Sequence, residues 1–272
     1  MLSYYINKPP STETTLKPFL GRKPVTMDPS GAYEVFLKQY QILEDLIRST
    51  ATKEELSAFF ALENKRWPTR KDTWRDNKAE LVPRQHRQES VDNCWAIGIF
   101  RQWYSLSVQM GLPTSDLSVK KLTLGISYLH KSEEHGLANW DAVISYMVGN
   151  GFVNDMRIHY KPKGHAEEET YETYLLHLRS RGPIAVSFCA FPSYNVNPGF
   201  RILCPTPVEI ARSAFEYNYS KHVALLMGRG VDVEGNEYWE LFESSGRKWG
   251  DSGFVRLAMH QGLIDFAVEM EM

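Results

Sequence analysis

The chain has 272 residues, which is enough for one sizeable domain or for a compact catalytic domain with an N-terminal extension. Its formal net charge is −2 and its acidic and basic residues are interspersed, so no basic block indicates nucleic-acid binding. No apolar run approaches the roughly 18–20 residues that a membrane span needs.

The N-terminal part of the chain divides into two segments of different composition. Residues 1–31 are interrupted by prolines and glycines and hold few aliphatic clusters, which predicts a flexible tail. Residues 32–72 change to helical spacing, with apolar and aromatic side chains at steps of three and four at Tyr33, Phe36, Leu37, Tyr40 and Leu43. We therefore predict a helical extension made of two amphipathic helices, with Thr52 and Glu55 as a capping box for the second.

A longer helix is predicted from Cys94 to Met110, a stretch with no proline and a single glycine. Its apolar residues fall on one face at helical spacing, at Trp95, Ile99, Trp103 and Leu106. Gly111 and Pro113 end it. Cys94 is therefore placed at a helix N-terminus, where unpaired backbone N–H groups and the helix dipole stabilise a thiolate. A second helix is predicted from Trp140 to Val148.

The C-terminal third has the composition of β-strands. Runs rich in β-branched and aromatic residues occur at 184–191, 222–230, 237–244 and 253–259. Between the second and third of these, Glu234-Gly235-Asn236 is typical of a hairpin turn. Helices that precede strands indicate an α+β fold.

Residues on both sides of this boundary match the pattern of a known family. Gln88 lies six residues before Cys94-Trp95-Ala96, and His222 heads an apolar run much later in the chain. Tyr238-Trp239 is followed by glycines and aromatics at fixed offsets, at Gly246, Trp249, Gly250, Gly253 and Phe254. Together these residues resemble the papain-like cysteine proteases. The resemblance implies a two-lobed α+β fold, with a helical N-terminal lobe, an antiparallel β C-terminal lobe and the site in the cleft between them.

The same resemblance sets the domain limits. Trp74-Arg75-Asp76 is similar to the start of the mature domain of the family, so we assign residues 73–272 to a papain-like peptidase domain. The extension at residues 32–72 then has two interpretations. It is either a pair of ordinary amphipathic helices or a shortened relic of the helical inhibitory prosegment.

The resemblance implies a role for each candidate catalytic residue. Cys94 is the nucleophile, Gln88 donates its side-chain amide to the oxyanion, and His222 is the base. A lone cysteine is more often a small buried apolar residue and a lone histidine a core residue, so the roles depend on the whole set of matches. Cys189 and Cys204 are interpreted as structural, without metal-ligand spacing to Cys94 or to the histidines.

The third catalytic position departs from the family pattern. Glu243 stands where the family has asparagine, and Ser245 stands where a tryptophan shields that residue from water. A carboxylate can orient an imidazole, but glutamate is one methylene longer than asparagine. Loss of the indole is expected to expose the bond to solvent and weaken it. Lys221 is expected to disfavour the imidazolium of His222, with Glu243 offsetting its charge.

Three further residues are assigned to substrate binding from the resemblance: Gly136, Leu137 and Trp249. Gly136 matches the first glycine of the family's substrate-side loop, and Leu137 stands at the second. A side chain at this position is expected to narrow the cleft.

The sequence thus predicts a cysteine-type endopeptidase with no cofactor and no metal. Its expected partners are a peptide or protein substrate and a protein inhibitor, with no nucleic acid and no membrane, and the expected state is a monomer. Two alternatives stay open: a catalytically impaired homologue that binds peptides or proteins through the same cleft, and a transferase that uses the same Cys–His pair. Three cysteines and no visible secretory signal predict a cytoplasmic location.

Overall fold

The structure is a computed structural model that describes residues 70–83, 92–132, 136–162, 168–195, 197–206, 208–209, 221–232 and 234–272. The flexible tail predicted at 1–31 and most of the helical extension predicted at 32–72 lie outside these residues, as does Gln88. Residues 70–72, which the prediction placed in the extension, form strand β1 together with Thr73. This strand pairs with the central sheet, so residues 70–72 are part of the same sheet as the predicted peptidase domain.

The described part of the chain has five α-helices, two of which were predicted. In chain order they are α1 (Trp74–Asn77), α2 (Cys94–Gln109), α3 (Val119–Gly125), α4 (Trp140–Gly149) and α5 (Glu168–Ser180). The predictions for α2 and α4 are confirmed to within a residue at each end. Ser118 begins α3 and Asn139 begins α4 by accepting a backbone N–H with their side chains, as N-cap residues do.

The strands form one mixed sheet. After β1 (Arg70–Thr73) they are β2 (Asp155–Tyr160), β3 (Ile184–Cys189), β4 (Ile202–Leu203), β5 (Lys221–Val231), β6 (Glu237–Phe242), β7 (Phe254–Ala258) and β8 (Ile264–Glu271). Their order is β2-β8-β3-β5-β6-β7-β4, with β1 added beside β5. The described pairings are antiparallel apart from the short parallel pair of β4 with β7. The four predicted strands correspond to β3, β5, β6 and β7, which confirms them.

The described residues form two large hydrophobic cores and a third, small cluster of Leu225, Met227, Phe242 and Phe254. One of the large cores surrounds α2 and includes residues of α4 and the inner face of β8. The other lies between α5 and strands β3, β5, β6 and β7. The α+β, two-lobed prediction is therefore confirmed. No helix of the described residues is both long enough and apolar enough to cross a bilayer.

Helix α2 packs directly on β5 where the two cores meet. A side chain at Gly98 would bring its Cβ within 2.6 Å of Cγ1 of Val223, so the helix and the strand approach more closely than a larger residue permits. One turn further on, buried Gln102 donates to the carbonyl of Val268 at 2.9 Å and accepts the N–H of Ala185 at 2.9 Å. These contacts place the start of α2 beside the start of β5.

Candidate active site

Cys94 is the first residue of α2 and lies at the boundary between the lobes. It is 8% exposed, and its neighbours Trp95 and Ala96 are buried in the core around α2. The preceding residue, Asn93, is the N-cap and makes no side-chain capping hydrogen bond. The N–H groups of the first turn therefore have no side-chain cap and lie next to the sulfur, where they favour negative charge.

His222 lies near the start of β5, opposite Phe188 of β3. Its side chain is 14% exposed. The thiol of Cys94 lies close enough to the imidazole to raise its pKa. Its Nε2 atom lies 2.5 Å from Oε1 of Glu243, which leaves Nδ1 as the ring nitrogen available to the sulfur. The structure therefore brings three of the predicted catalytic residues, Cys94, His222 and Glu243, into one connected group.

Glu243 directly follows β6 and its side chain is fully buried. While Oε1 faces His222, Oε2 accepts a hydrogen bond from Oγ of Ser245 at 2.8 Å. The hydroxyl of Tyr194 lies beside the same carboxylate and stabilises its charge, although it makes no hydrogen bond of ordinary geometry. The extra methylene of glutamate thus still permits a short bond to the imidazole.

The expectation that loss of the indole at Ser245 exposes this bond to solvent is wrong. Two aromatic side chains cover the imidazole instead. The ring centroids of Phe188 and Tyr194 lie 5.6 Å and 5.5 Å from that of His222, and 5.3 Å from each other. Because these rings come from β3 and from the 3-10 turn Pro192–Asn195, the shield is supplied by a different segment from the one that carries Ser245.

The pKa values of the pair move in opposite directions. Burial alone would lower the pKa of His222, but the charge of Glu243 and the hydrogen bonds to Cys94 and Glu243 outweigh it and raise that pKa to about 10. Burial alone would raise the pKa of Glu243, but the imidazolium of His222 and the hydroxyls of Tyr194 and Ser245 lower it to about 2. The histidine is therefore a cation and the glutamate an anion throughout the neutral range.

Lys221 does not depend on Glu243 for its counter-charge, which corrects the sequence expectation. Its Nζ atom lies 2.7 Å from Oδ2 of Asp265. Lys221 begins β5 and Asp265 is on β8, two strands away across β3. The carboxylate of Glu243 therefore interacts with the imidazolium of His222 and is not needed to balance the charge of Lys221.

The loop with Gly136 and Leu137 lies close to the nucleophile. A Cβ atom at Gly136 would meet Ser132 Oγ at 3.0 Å and Asp92 Cβ at 3.7 Å, and Asp92 is two residues before Cys94. Leu137 forms an antiparallel bridge with Lys131, and the hydrogen bonds of that bridge are made by the flanking residues. The backbone N–H and C=O of Leu137 therefore point away from the bridge, and no backbone hydrogen bond joins them to the described part of the chain.

The side chain of Leu137 packs against the core around α2. Trp249 is half-buried, packs against the core of the β lobe and lies with its ring centroid 6.3 Å from that of Tyr194. Its indole N–H is buried and has no hydrogen-bond partner among the described residues. Trp249 is thus linked to His222 through one intervening ring, and its assignment to substrate binding stays a prediction.

The other two thiols are separate from this group. Burial raises the pKa of Cys189 and of Cys204, which makes both poorer nucleophiles. Within the described ranges, no group of three histidine, cysteine or acidic side chains is arranged to hold a metal ion.

The sequence did not identify three residues of the site, Phe188, Tyr194 and Arg101. Tyr194 lies in a segment without periodicity, and only the chain fold brings it to the imidazole. Arg101 is fully buried in α2 and contacts the backbone of Glu243. A charged residue seven positions after Cys94 lies on the same helix face as the nucleophile. This spacing could have identified Arg101 from the sequence.

Comparison with known proteins finds similarity to cysteine proteases in sequence and in fold. No protein-family model matches the chain. A protein named cysteine protease from Blomia tropicalis is 23% identical over 204 residues, which cover 66% of this chain and 58% of that relative. A protein named cathepsin L-like from Caenorhabditis elegans is 26% identical over 270 residues, which cover 89% of this chain and 75% of the relative. The chain thus spans less than two thirds of the first relative's length.

Solved structures show the same fold. Procathepsin L2 from the larval midgut of Tenebrio molitor superposes with a TM-score of 0.57 at 20% identity, covering 74% of this chain and 68% of that structure. Bromelain from Ananas comosus, solved in complex with the E64 inhibitor, superposes with a TM-score of 0.54 at 16% identity, covering 74% and 98%. The fold is that of the papain-like cysteine proteases. The chain is similar to named cysteine proteases of this fold only at low sequence identity.

Proposed function

We propose that the protein is a cysteine-type endopeptidase in which Cys94, His222 and Glu243 form the catalytic triad. The bond of 2.5 Å between His222 and Glu243, with the Cys94 thiol close enough to raise the pKa of the same imidazole, is the observation that carries the proposal. A nucleophile, a base and a group that orients the base are thereby joined in one chain of contacts.

Acylation would proceed in two steps, attack by the thiolate and proton transfer to the leaving group. The Cys94 thiolate attacks the peptide carbonyl carbon, and the backbone N–H of Cys94 donates to the resulting oxyanion, with the amide of Gln88 as the predicted second donor. His222 then transfers its Nδ1 proton to the leaving nitrogen. The C–N bond breaks, the amine product departs and a thioester joins the acyl group to Cys94.

Deacylation would use His222 in the opposite sense. Neutral imidazole removes a proton from water, which attacks the thioester carbon. Collapse of this second tetrahedral intermediate releases the carboxylic acid and restores the thiolate beside the imidazolium. Glu243 stays ionised throughout and holds the ring by Nε2, so that Nδ1 keeps facing the sulfur and the substrate.

The edge of the cleft supports an extended peptide as the substrate. The outward N–H and C=O of Leu137 can pair with a peptide backbone in the manner of an added β-strand. The close approach of Gly136 to Asp92 places this edge beside the nucleophile. Pairing through the backbone would position the peptide without regard to its side chains.

Labelling by an epoxide cysteine-protease probe tests the proposal. We expect stoichiometric labelling at Cys94 in the full chain, loss of labelling in Cys94→Ala, and strong reduction in His222→Ala. Cys204→Ala is the matched control, because it removes a free thiol outside the site and should leave labelling unchanged. Peptide hydrolysis is then measured with a mixed peptide library under the same conditions.

Each outcome has a definite meaning. Labelling at Cys94 that depends on His222, together with hydrolysis, supports the endopeptidase. Labelling without hydrolysis, in a folded protein that binds library peptides, would contradict the endopeptidase. It would support the alternative of a catalytically impaired homologue that binds peptides. Labelling accompanied by transfer of an acyl group to an added amine instead of water would favour the transferase.

A further inference from the structure

The nucleophile helix carries a positive charge into the core. Arg101 is seven residues, or about two turns, after Cys94 and so lies on the same face of α2. It is 1% exposed. A buried guanidinium lowers stability unless its charge and its N–H groups are matched by partners. The contacts of this side chain therefore indicate what it does.

Arg101 binds the chain at the residue that supplies the carboxylate. Its Nη1 atom donates to the carbonyl oxygen of Phe242 at 3.0 Å and to that of Glu243 at 3.1 Å. The guanidinium also stacks over the Phe242 ring, 3.9 Å from its centroid. The end of β6 is thus fixed to α2 at the point where the Glu243 side chain leaves the backbone.

Charge acts in the same direction as these bonds. Burial lowers the pKa of Arg101 to about 10 and the charge of Glu243 opposes that change, so the guanidinium stays ionised at neutral pH. The attraction is mutual and favours the ionised carboxylate as well. For Glu243 the imidazolium of His222 is the dominant positive charge, and Arg101 adds to it from the backbone side.

We propose that Arg101 is a positioning residue that fixes the Glu243 carboxylate against Nε2 of His222 and links it to the helix that carries Cys94. This inference rests on the proposed function, because the same triad is involved. In this arrangement a carboxylate replaces a neutral amide at the third position without leaving a buried charge uncompensated. Arg101 itself does not contact the substrate.

The test is the pH dependence of Cys94 alkylation by iodoacetamide in full-length Arg101→Met. We expect the rate at neutral pH to fall about tenfold, because bonds to a charged donor are lost at the backbone of Glu243. The acid limb of the profile should move up by about one pH unit, because a less well held carboxylate binds a proton more readily. Arg101→Lys retains the positive charge without the planar guanidinium. Its alkylation rate and its acid limb should lie between those of the parent protein and those of Arg101→Met.

Gln102→Met is the matched control for burial. Gln102 is the next residue of α2, is also 1% exposed, and bonds to the backbone of β8 and β3 instead of β6. Its loss should lower the melting temperature without moving the acid limb. An equal shift of the acid limb in Gln102→Met and Arg101→Met would overturn the proposal, since any damage to α2 would then suffice.

A double variant covers the case in which Arg101→Met does not fold. In Glu243→Gln/Arg101→Met the buried anion is absent, so folding should be recovered and the acid limb should match that of Glu243→Gln alone. Failure of both variants to fold would show that the core needs Arg101 independently of Glu243, which would refute the role. Alkylation does not need peptide hydrolysis, so a chain that shifts as expected but cleaves no peptide contradicts the proposed function and supports this inference.

Discussion

A glutamate at position 243 changes the electrostatics of the Cys–His pair. A neutral amide in this place could orient the imidazole, whereas a buried carboxylate also attracts its proton. The pKa of about 10 at His222 reflects that attraction acting against burial. A more basic imidazole keeps the imidazolium beside Cys94 over a wide pH range, but it also gives up its proton less readily to a leaving group. We therefore expect a persistent imidazolium and a slow acylation step.

The first prediction concerns the charge of this residue alone. In Glu243→Gln the pKa of His222 should fall from about 10, because the carboxylate no longer opposes burial and only Cys94 still raises that pKa. We expect Cys94 labelling at neutral pH to drop by roughly tenfold or more. The pKa is measured from the imidazole nitrogen resonances of protein labelled with ¹⁵N-histidine.

Glu240→Gln is the control for this change. Glu240 is 2% exposed, lies three residues earlier on β6, and accepts a hydrogen bond from Thr73 at 2.6 Å. Its replacement should lower stability and leave the His222 resonance where it was. An unchanged His222 titration in Glu243→Gln would contradict the triad itself.

At the scale of the secondary structure, the sequence correctly predicted the helices and strands whose apolar residues have a clear periodicity. Helix α2 and strands β3, β5, β6 and β7 have clear apolar periodicity or long apolar runs, and all are present. Strand β2 (DMRIHY) has no such signal, and helix α5 (EETYETYLLHLRS) was not predicted although Tyr171, Tyr174, Leu175 and Leu178 fall at helical spacing. Their places are set by tertiary pairing, β2 on β8 and α5 on the β-lobe core, which local sequence does not specify.

The same distinction applies to the site. Cys94, His222 and Glu243 were predicted because the resemblance fixes their offsets, and the structure brings them together. The shielding rings of Phe188 and Tyr194 were not predicted, because they replace an indole lost from a different loop. Compensation of this kind depends on contacts between distant segments, and a single sequence does not record them.

The second prediction concerns the contact of helix α2 with strand β5. Gly98→Ala would place a methyl group 2.6 Å from the stiff side chain of Val223, next to His222. The helix should shift outward and carry Cys94 away from the imidazole. We expect a loss of about 1–3 kcal/mol in the free energy of unfolding, together with slower labelling of Cys94. Both are measured by urea denaturation and by probe kinetics.

Gly149→Ala provides the comparison for this helix substitution. Gly149 is the last residue of α4, and a Cβ atom there would meet no other atom within 4 Å. Its free energy of unfolding should stay within about 1 kcal/mol of the parent protein, with labelling unaffected. Similar losses in the two variants would mean that helix propensity, and not the approach to Val223, controls the result.

At the scale of the whole molecule, the site joins the two lobes through charge. Cys94 and Arg101 come from the helical lobe, whereas His222 and Glu243 come from the β lobe. Folding brings a cation and an anion into the boundary between the two cores, where neither would be stable alone. The stability of the whole domain should therefore vary with the ionisation of this pair.

The two pKa shifts define the pH range of that stabilisation. The pKa of His222 is raised from 6.5 to about 10, so its contribution is complete below pH 6.5 and is lost as the pH rises toward 10. The pKa of Glu243 is lowered from 4.5 to about 2, so its contribution is complete above pH 4.5 and is lost as the pH falls toward 2. The pair should stabilise the fold most between about pH 4.5 and 6.5.

The third prediction compares two proteins across this range. In a Cys94→Ser background, which prevents self-digestion and removes the thiolate, unfolding is measured with and without Glu243→Gln from pH 4 to pH 10. The difference in the free energy of unfolding should be largest between pH 4.5 and 6.5 and shrink steadily above pH 6.5, as the folded histidine of the parent protein loses its proton. A difference that is constant with pH would show that Glu243 contributes packing without a linked charge. A difference that grows with pH would be opposite to this expectation and would exclude a buried imidazolium. Glu243 stabilises the fold more at lower pH only if it raises the pKa of His222.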